Sequence, residues 1–454
     1  MYRSRLSLAL SIGVAAIAGA QSPIPIATEF EKLHFRSIGP AVMSGRISDV
    51  AVFEAKPATY YVGTAHGGVW KTISNGTMFT PLLQDQGLLS IGDVAVSQKT
   101  PDLVWVGTGE ANNRQSTSWG DGIYKSTDGG KTFTNMGLRD SKHIGRILID
   151  PSNNDIVIVA AQGPLFGFGG ERGVYKTTDG GKTWTQTLKL DDMTGATDLA
   201  MSYTDPKTIY AATYQRLRTA CCMNGGGPGS GLYKSTDGGD HWTRITGNGW
   251  PEGSLGRIGI DTYRRNGNTI YANVEGPAAG GGRGGGRGGA NQAGAPAGGR
   301  GAAPDTTANQ GSAFTTGVYR SDDGGASWKK VSSTNPRPMY FSQMRVDPND
   351  PNTIYMGGVG LHMSVDGGAT MQQDAAEAIH DDIHAIWIDP SNSDHLIIGG
   401  DGGLASSYDH AKTWVAYQNI PVGLFYHVSY DMETPFNVCG GMQDNYDWCG
   451  PSQS

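Results

Sequence analysis

Hydrophobic positions in this chain come in short runs of about four to six residues, each closed by Gly, Pro, Asn or Asp. Arg146-Ile-Leu-Ile-Asp150-Pro151 is followed by Ile156-Val-Ile-Val-Ala160, and Arg345-Val-Asp347-Pro348 by Thr353-Ile-Tyr-Met356. Runs this short, rich in β-branched and aromatic residues and separated by turn formers, predict strands. No stretch carries the period of a long amphipathic helix. The expected fold class is all-β.

The polar positions are more regular still. A phrase of the form Ser/Thr-x-Asp-Gly-Gly-x-Thr/Ser-aromatic recurs along the chain. Clear copies run from Ser126 to Phe133, Thr177 to Trp184, Ser235 to Trp242 and Ser321 to Trp328. Looser copies run from Ser364 to Met371 and Ser407 to Trp414, and a degenerate one from Thr72 to Phe79. Their central positions are Ser74, Asp128, Asp179, Asp237, Asp323, Asp366 and Asp409. An Asp-Pro hairpin precedes many copies, one strand enters the phrase, and one leaves its aromatic residue. Four strands per repeat of this length predict the blades of a β-propeller. Seven complete blades are expected. Tyr426–Asp431 and Asn437–Gly441 would begin a partial eighth, closed by both termini with Leu33–Ile38 as its outer strand. Alternatively, 424–454 would open a second propeller.

These phrases resemble the Asp-box, or BNR, repeats of sialidases, xyloglucanases and sortilin-type receptors, over about residues 33–454. The repeat style is most similar to exported bacterial proteins loosely named glycosyl hydrolase or sortilin-N-terminal proteins. The resemblance implies the blade fold far more strongly than an activity. Xyloglucanases of this type carry a catalytic Asp in a Thr-Asp-x-Gly-Gly-x-Tyr loop. The matching stretch here is Thr64–Trp70, with Ala65 where that Asp would stand. Of the sialidase pattern only Phe35–Pro40 approximates a phrase, and Arg146 and Arg257 are its available arginines.

Composition narrows the setting. The chain has 454 residues, 69 of them glycine, and a net charge of −7, a poor balance for binding nucleic acid. Arg3 and Arg5, the apolar run Leu6–Ala18 and the small-residue site Ala18-Gly19-Ala20 predict an export signal, residues 1–20. The mature chain, 21–454, is expected to start at Gln21, secreted or periplasmic, without a membrane anchor, and monomeric. Four cysteines suit an oxidising compartment. Cys439 and Cys449 could bridge; the adjacent Cys221 and Cys222 could be free, paired elsewhere, or bonded to each other. Residues 277–312, rich in Gly, Ala, Pro and Arg, read as a flexible insertion in the fifth blade.

With strands lettered A to D outward from the axis, the Asp-Pro hairpin is the A–B turn and the repeated phrase is the C–D turn. Both lie on one face, the lower. The phrase Asp is expected to cap its own turn, because six dispersed carboxylates cannot converge on a substrate. Candidate chemistry therefore belongs to the upper face. Its B–C loops carry His66, Glu110 and Asp401, and polar residues open the inner strands: Asp49, Asp93, Arg146, Asp198, Arg257, Gln343 and His384. These could equally pair with one another across a wet channel.

The sharpest group is His380, Asp382, His384 and Asp401 of blade seven, His427 and Asp444 of the eighth unit, and His66 of blade one. Imidazoles and carboxylates gathered in one sector suit a ligand site, acid–base work or a divalent metal, although the spacing matches no standard metal motif. The ligand-binding candidates are thus His66, Glu110, Arg146, Arg257, His380, Asp382, His384, Asp401, His427 and Asp444, and the catalytic candidates His384, Asp401 and His66. No other cofactor is expected. The expected function is binding of an extracellular carbohydrate or peptide polymer on the upper face. The alternative is glycoside hydrolysis of a polysaccharide by the His/Asp cluster.

Overall fold

The structure is a computed structural model that describes residues 44–453, apart from 84, 85, 88, 115, 116 and 278–314. The expected export signal, the expected outer strand at Leu33–Ile38 and nearly all of the 277–312 insertion lie outside the described residues.

The described residues form antiparallel sheets in an all-β, propeller-type arrangement. Seven sheets begin with an inner strand: Ile47–Val52, Ile91–Val96, Ile144–Ile149, Thr194–Met201, Ile258–Thr262, Gln343–Val346 and Ile383–Asp389. In each sheet the chain then steps outward strand by strand, and most sheets have four strands. Neighbouring inner strands lie side by side in chain order, and Ile383–Asp389 also lies beside Ile47–Val52. The remaining sheet joins Ser429–Tyr430, Asn437–Gly441 and Asp447–Pro451.

Burial explains the sequence pattern. The second strand of a sheet is covered on both faces by neighbouring sheets, so Tyr60–Thr64, Val104–Thr108 and Val157–Ala161 are buried throughout and read as unbroken apolar runs. Outer strands such as Thr134–Asn135 and Thr243–Arg244 are short and largely exposed.

The repeated phrase is a turn lock. Asp179 Oδ1 accepts the Thr183 N–H at 3.0 Å, Thr183 Oγ1 donates to Oδ2 at 2.6 Å, and Thr177 Oγ1 accepts the Gly181 N–H at 3.0 Å. Gly180 and Gly181 both adopt positive φ, which glycine tolerates without a Cβ clash. The Gly180 N–H also reaches the carbonyl of Asp155 in the A–B turn of the same sheet, and Gly129, Gly238, Gly324 and Gly367 repeat that bond. Each phrase aromatic then reaches toward the preceding sheet. Trp184 donates to Met136 O at 2.8 Å and meets Trp105 edge-on. Phe79 of the first phrase meets Tyr417 of the seventh sheet in the same way, with ring centroids 6.4 Å apart.

Both cysteine pairs are joined, Cys439 with Cys449 and Cys221 with Cys222. The first staples the hairpin formed by Asn437–Gly441 and Asp447–Pro451.

Candidate functional site

The polar residues that open the inner strands separate into two levels. The lower level is a belt inside the channel. Arg146 Nε lies 3.0 Å from Asp198, its Nη1 3.0 Å from Asp93 and 3.8 Å from Asp49, and its Nη2 3.3 Å from Gln343. The same carboxylates also cap backbone: Asp49 accepts the Val94 N–H, Asp93 that of Ile147 and Asp198 that of Ile260, each in the next sheet. Burial holds Asp93 well above the usual carboxylate range, although Arg146 pulls the other way. Arg146 therefore ties its own sheet to four others across the channel.

The upper level is set by the residues just before the inner strands. Arg46, which precedes Ile47, gives Nη1 to Glu110 Oε1 at 2.9 Å and Nη2 to Asp401. His384 Nε2 lies 2.8 Å from the other oxygen of Asp401, and its Nδ1 lies 3.2 Å from the Asn112 amide. Tyr340 and Phe341 pack on the His384 ring. His66 Nδ1 meets Ser118 Oγ at 3.2 Å, and its Nε2 is 3.6 Å from Glu110 Oε2.

The two most deeply buried carboxyls of this centre are shifted in opposite directions. Burial pushes Glu110 up to about 7, only partly offset by Arg46. Burial also works against ionised Asp401, but His384 and Arg46 outweigh it and hold the group down at about 2. Burial, and then Arg46, lower His66 to about 4. Such a split is the arrangement that separates a proton donor from a permanent anion. The centre is also closed. Glu110 and Asp401 are 0% and 1% exposed.

The stapled hairpin closes it. Asn445 Nδ2 donates to Asp401 O at 2.9 Å, Gln443 accepts from Arg114, and the Asp444 carboxylate stands 3.7 Å from Arg46. A small cleft remains, lined by Arg46, His66, Asp401, Val422, Leu424 and Asp444.

The structure thus gathers His66, Glu110, His384, Asp401 and Asp444. Arg257 lies beside them, with Nη1 2.5 Å from Tyr340 O and 3.5 Å from Asn112 Oδ1. Asp382 sits at the rim, 3.7 Å from Arg337, and its carbonyl accepts the Asp401 N–H. His380 is exposed and bonds the carbonyl of Asp381; His427 is exposed in the segment leading to the last sheet. Neither of these two reaches the centre. Among the described residues no group of three or more His, Cys, Asp or Glu side chains is arranged to hold a metal. Sequence reasoning missed Arg46, the pivot of the centre. The available signal was its place directly before the first inner strand, matching Arg257 before the fifth.

Two upper loops flank this centre with exposed aromatic side chains. Trp119 is 70% exposed, and Phe166 and Phe168 are 50% and 65% exposed. Both loops are anchored on one link: Gly120 N donates to Lys142 O at 2.7 Å, and Glu171 N to Asp140 O at 3.2 Å.

Residues 121–250 match the family model described as sortilin, neurotensin receptor 3. A xyloglucanase of Paenibacillus sp is 23% identical over 295 residues, 60% of this chain and 28% of that protein. An oligoxyloglucan-reducing end-specific xyloglucanase of Emericella nidulans is 25% identical over 280 residues, 52% of this chain and 30% of that protein. The chain spans less than a third of these relatives. Among solved structures, the GH74 xyloglucanase from Xanthomonas campestris superposes with a TM-score of 0.58 at 16% identity, covering 89% of this chain and 59% of that one. An ancestral GH74 enzyme gives 0.61 at 16%, covering 91% and 54%. The chain is thus similar to sortilin-type proteins over residues 121–250 and to xyloglucanases over about half its length, and it shares the β-propeller fold of the latter.

Proposed function

We propose that this protein binds an extracellular polysaccharide across its upper face, with Trp119, Phe166 and Phe168 as the stacking surface. The exposure of these three side chains on two loops held by one link carries the reading. Contiguous exposed apolar patches mark surfaces that a ligand or partner covers, and flat aromatic faces suit the apolar faces of sugar rings. The xyloglucanase names of its relatives favour carbohydrate over peptide as the polymer. The supporting architecture is a ring of seven blades, with the 429–451 sheet as a cap on the upper mouth rather than an eighth blade. The protein acts as an exported monomer.

The test is a panel of soluble β-glucans and other plant and microbial polysaccharides, read by affinity electrophoresis and calorimetry. Binding to at least one is expected, weakened tenfold or more in Trp119→Ala and Phe168→Ala with unchanged melting. Full binding by both variants would end the reading.

Hydrolysis is the second reading, favoured by the opposed shifts of Glu110 and Asp401 on one guanidinium. In that case Glu110 would protonate the leaving oxygen, and the Gln443–Asn445 tip would have to lift to admit substrate. Ala65, at the position of the relatives' catalytic Asp, weighs against a xyloglucanase-type mechanism. Release of reducing ends, lost in Glu110→Gln, would establish turnover.

A further inference from the structure

Among the described residues, the fourth sheet alone carries a side strand. Its second strand, Ile209–Arg218, has ten residues where Tyr60–Thr64 and Val157–Ala161 have five. The excess, Arg216–Arg218, pairs with Met223–Gly225 and forms an arm on the upper face. The tip of the arm is the turn Thr219–Cys222, closed by the Thr219 N–H on Cys222 O at 2.8 Å. Cys221 and Cys222 are both exposed there, and they are bonded to each other.

This cross-link does little for the fold. The chain-entropy gain from a disulfide grows with the number of residues it encloses, and adjacent cysteines enclose none. The tip turn is already closed by its backbone bond. Cysteine is also among the residue types most often buried, so two of them in water at one tip stand apart. The other pair differs. Cys439 and Cys449 lie opposite each other on paired strands, so the fold itself brings their sulfurs together and raises their effective concentration. An exposed disulfide that the fold does not support belongs to the labile, regulatory kind. The charge of the arm also suits exchange. It carries Arg216 and Arg218, and no acidic residue stands between Tyr214 and Pro228. Positive charge favours the thiolate, which is both the attacking and the leaving group.

The arm is joined to the aromatic surface. The Arg218 N–H donates to Leu165 O at 2.8 Å, and the next residue of that loop is Phe166.

We propose that Cys221–Cys222 is a thiol–disulfide exchange site whose state sets how firmly the adjoining aromatic loop holds its ligand. The co-substrate is a dithiol. One of its thiolates attacks the Sγ of either cysteine; the S–S bond breaks, and the other cysteine leaves as a thiolate and takes up a proton. The second thiol of the co-substrate then attacks the mixed disulfide. Both protein cysteines end as thiols and the co-substrate as a disulfide. Two electrons pass, and a disulfide oxidant reverses the steps. With the cross-link open, the tip is held by backbone bonds alone and the anchor at Leu165 loosens. The exchange site stands on the exposed pair alone; its effect on affinity rests on the polysaccharide reading.

The experiment titrates the whole protein with dithiothreitol, traps free thiols with iodoacetamide and reads each cysteine by mass spectrometry. Cys221 and Cys222 are expected to open at a reductant concentration about tenfold below that needed for Cys439 and Cys449. The melting midpoint should move by less than about 1 °C at that concentration. Opening of both pairs together, opening of Cys439–Cys449 first, or a fall of several degrees once Cys221–Cys222 opens would overturn the exchange site. Affinity for the polysaccharide that binds most tightly is then compared in the oxidised protein, the selectively reduced protein and the double variant Cys221→Ser, Cys222→Ser. Weakening by about threefold in the reduced protein and in the variant, with the variant indifferent to dithiothreitol, is expected. Equal affinity of oxidised and reduced protein would overturn the effect on binding. A protein that binds no polysaccharide would overturn that effect together with the polysaccharide reading, while the thiol titration decides the exchange site by itself.

Discussion

His384 and Asp401 face each other at 2.8 Å, both at 2% side-chain exposure, inside the channel rather than on its rim. An imidazole so placed is a structural member of the centre. Replacing it removes the packing of Tyr340 and Phe341 and leaves the buried Asp401 carboxylate with Arg46 as its main counter-charge. His384→Ala is therefore expected to cost about 2–4 kcal/mol in urea unfolding. This reverses what its place at the polar opening of an inner strand suggests, which is lost binding at unchanged stability. A variant that melts like the wild type would restore the surface role.

Arg146 is the only cation within ion-pair reach of Asp93 and Asp198 among the described residues. Arg146→Met would leave a cluster of buried carboxylates facing one another, a loss of about 3–5 kcal/mol. The loss should shrink as pH falls and the carboxylates become neutral. Asp198→Asn in the same background should recover part of it. Denaturant midpoints at pH 7 and pH 5 for the three proteins check this, and a pH-independent loss would point to packing instead of charge.

Glu110 stands at about 7 in the folded protein against 4.5 for an ordinary Glu, so the folded state holds an extra proton between those values. Its contribution to stability is complete below about 4.5 and disappears as pH rises through about 7. His66, lowered from 6.5 to about 4, works in the opposite direction: its contribution is present above 6.5 and is lost toward 4. The two partly cancel in the wild type. Glu110→Gln separates them, because the amide keeps the bond to Arg46 and cannot ionise. Relative to wild type the variant should gain stability from pH 5 to pH 8, by at most about 3 kcal/mol. Parallel pH profiles would mean that Glu110 titrates normally.

The propeller was legible because each repeat spells out its own turn, strand and aromatic contact, and those interactions are local or reach only the next sheet. The centre was half legible. His66, Glu110, His384 and Asp401 stand at loop positions that topology sends to one face. His380 was misjudged because it lies only four residues before His384, yet the chain turns between them and leaves one ring in water and the other in the channel. Arg46 was passed over because the polar opening of the first inner strand was placed at Asp49, whereas the strand starts at Ile47, directly after Arg46.

The last prediction concerns the repeated phrase. Asp179 lies far from the upper centre, and its carboxylate is held well below the usual range by bonds from Thr183 and Thr177. An Asn at that position keeps one acceptor oxygen but gives up the second, so the Thr183 hydroxyl loses its bond at Oδ2. The lock between the C–D turn and its own sheet is weakened without being removed. Asp179→Asn should lower the melting midpoint by about 1–2 °C, the shift expected of one lost turn bond in a protein of this size. Because the phrase lies on the opposite face from Trp119 and Phe168, polysaccharide affinity measured well below the midpoint should not change. An affinity loss at unchanged melting would place the ligand on the lower face and overturn the assignment of faces.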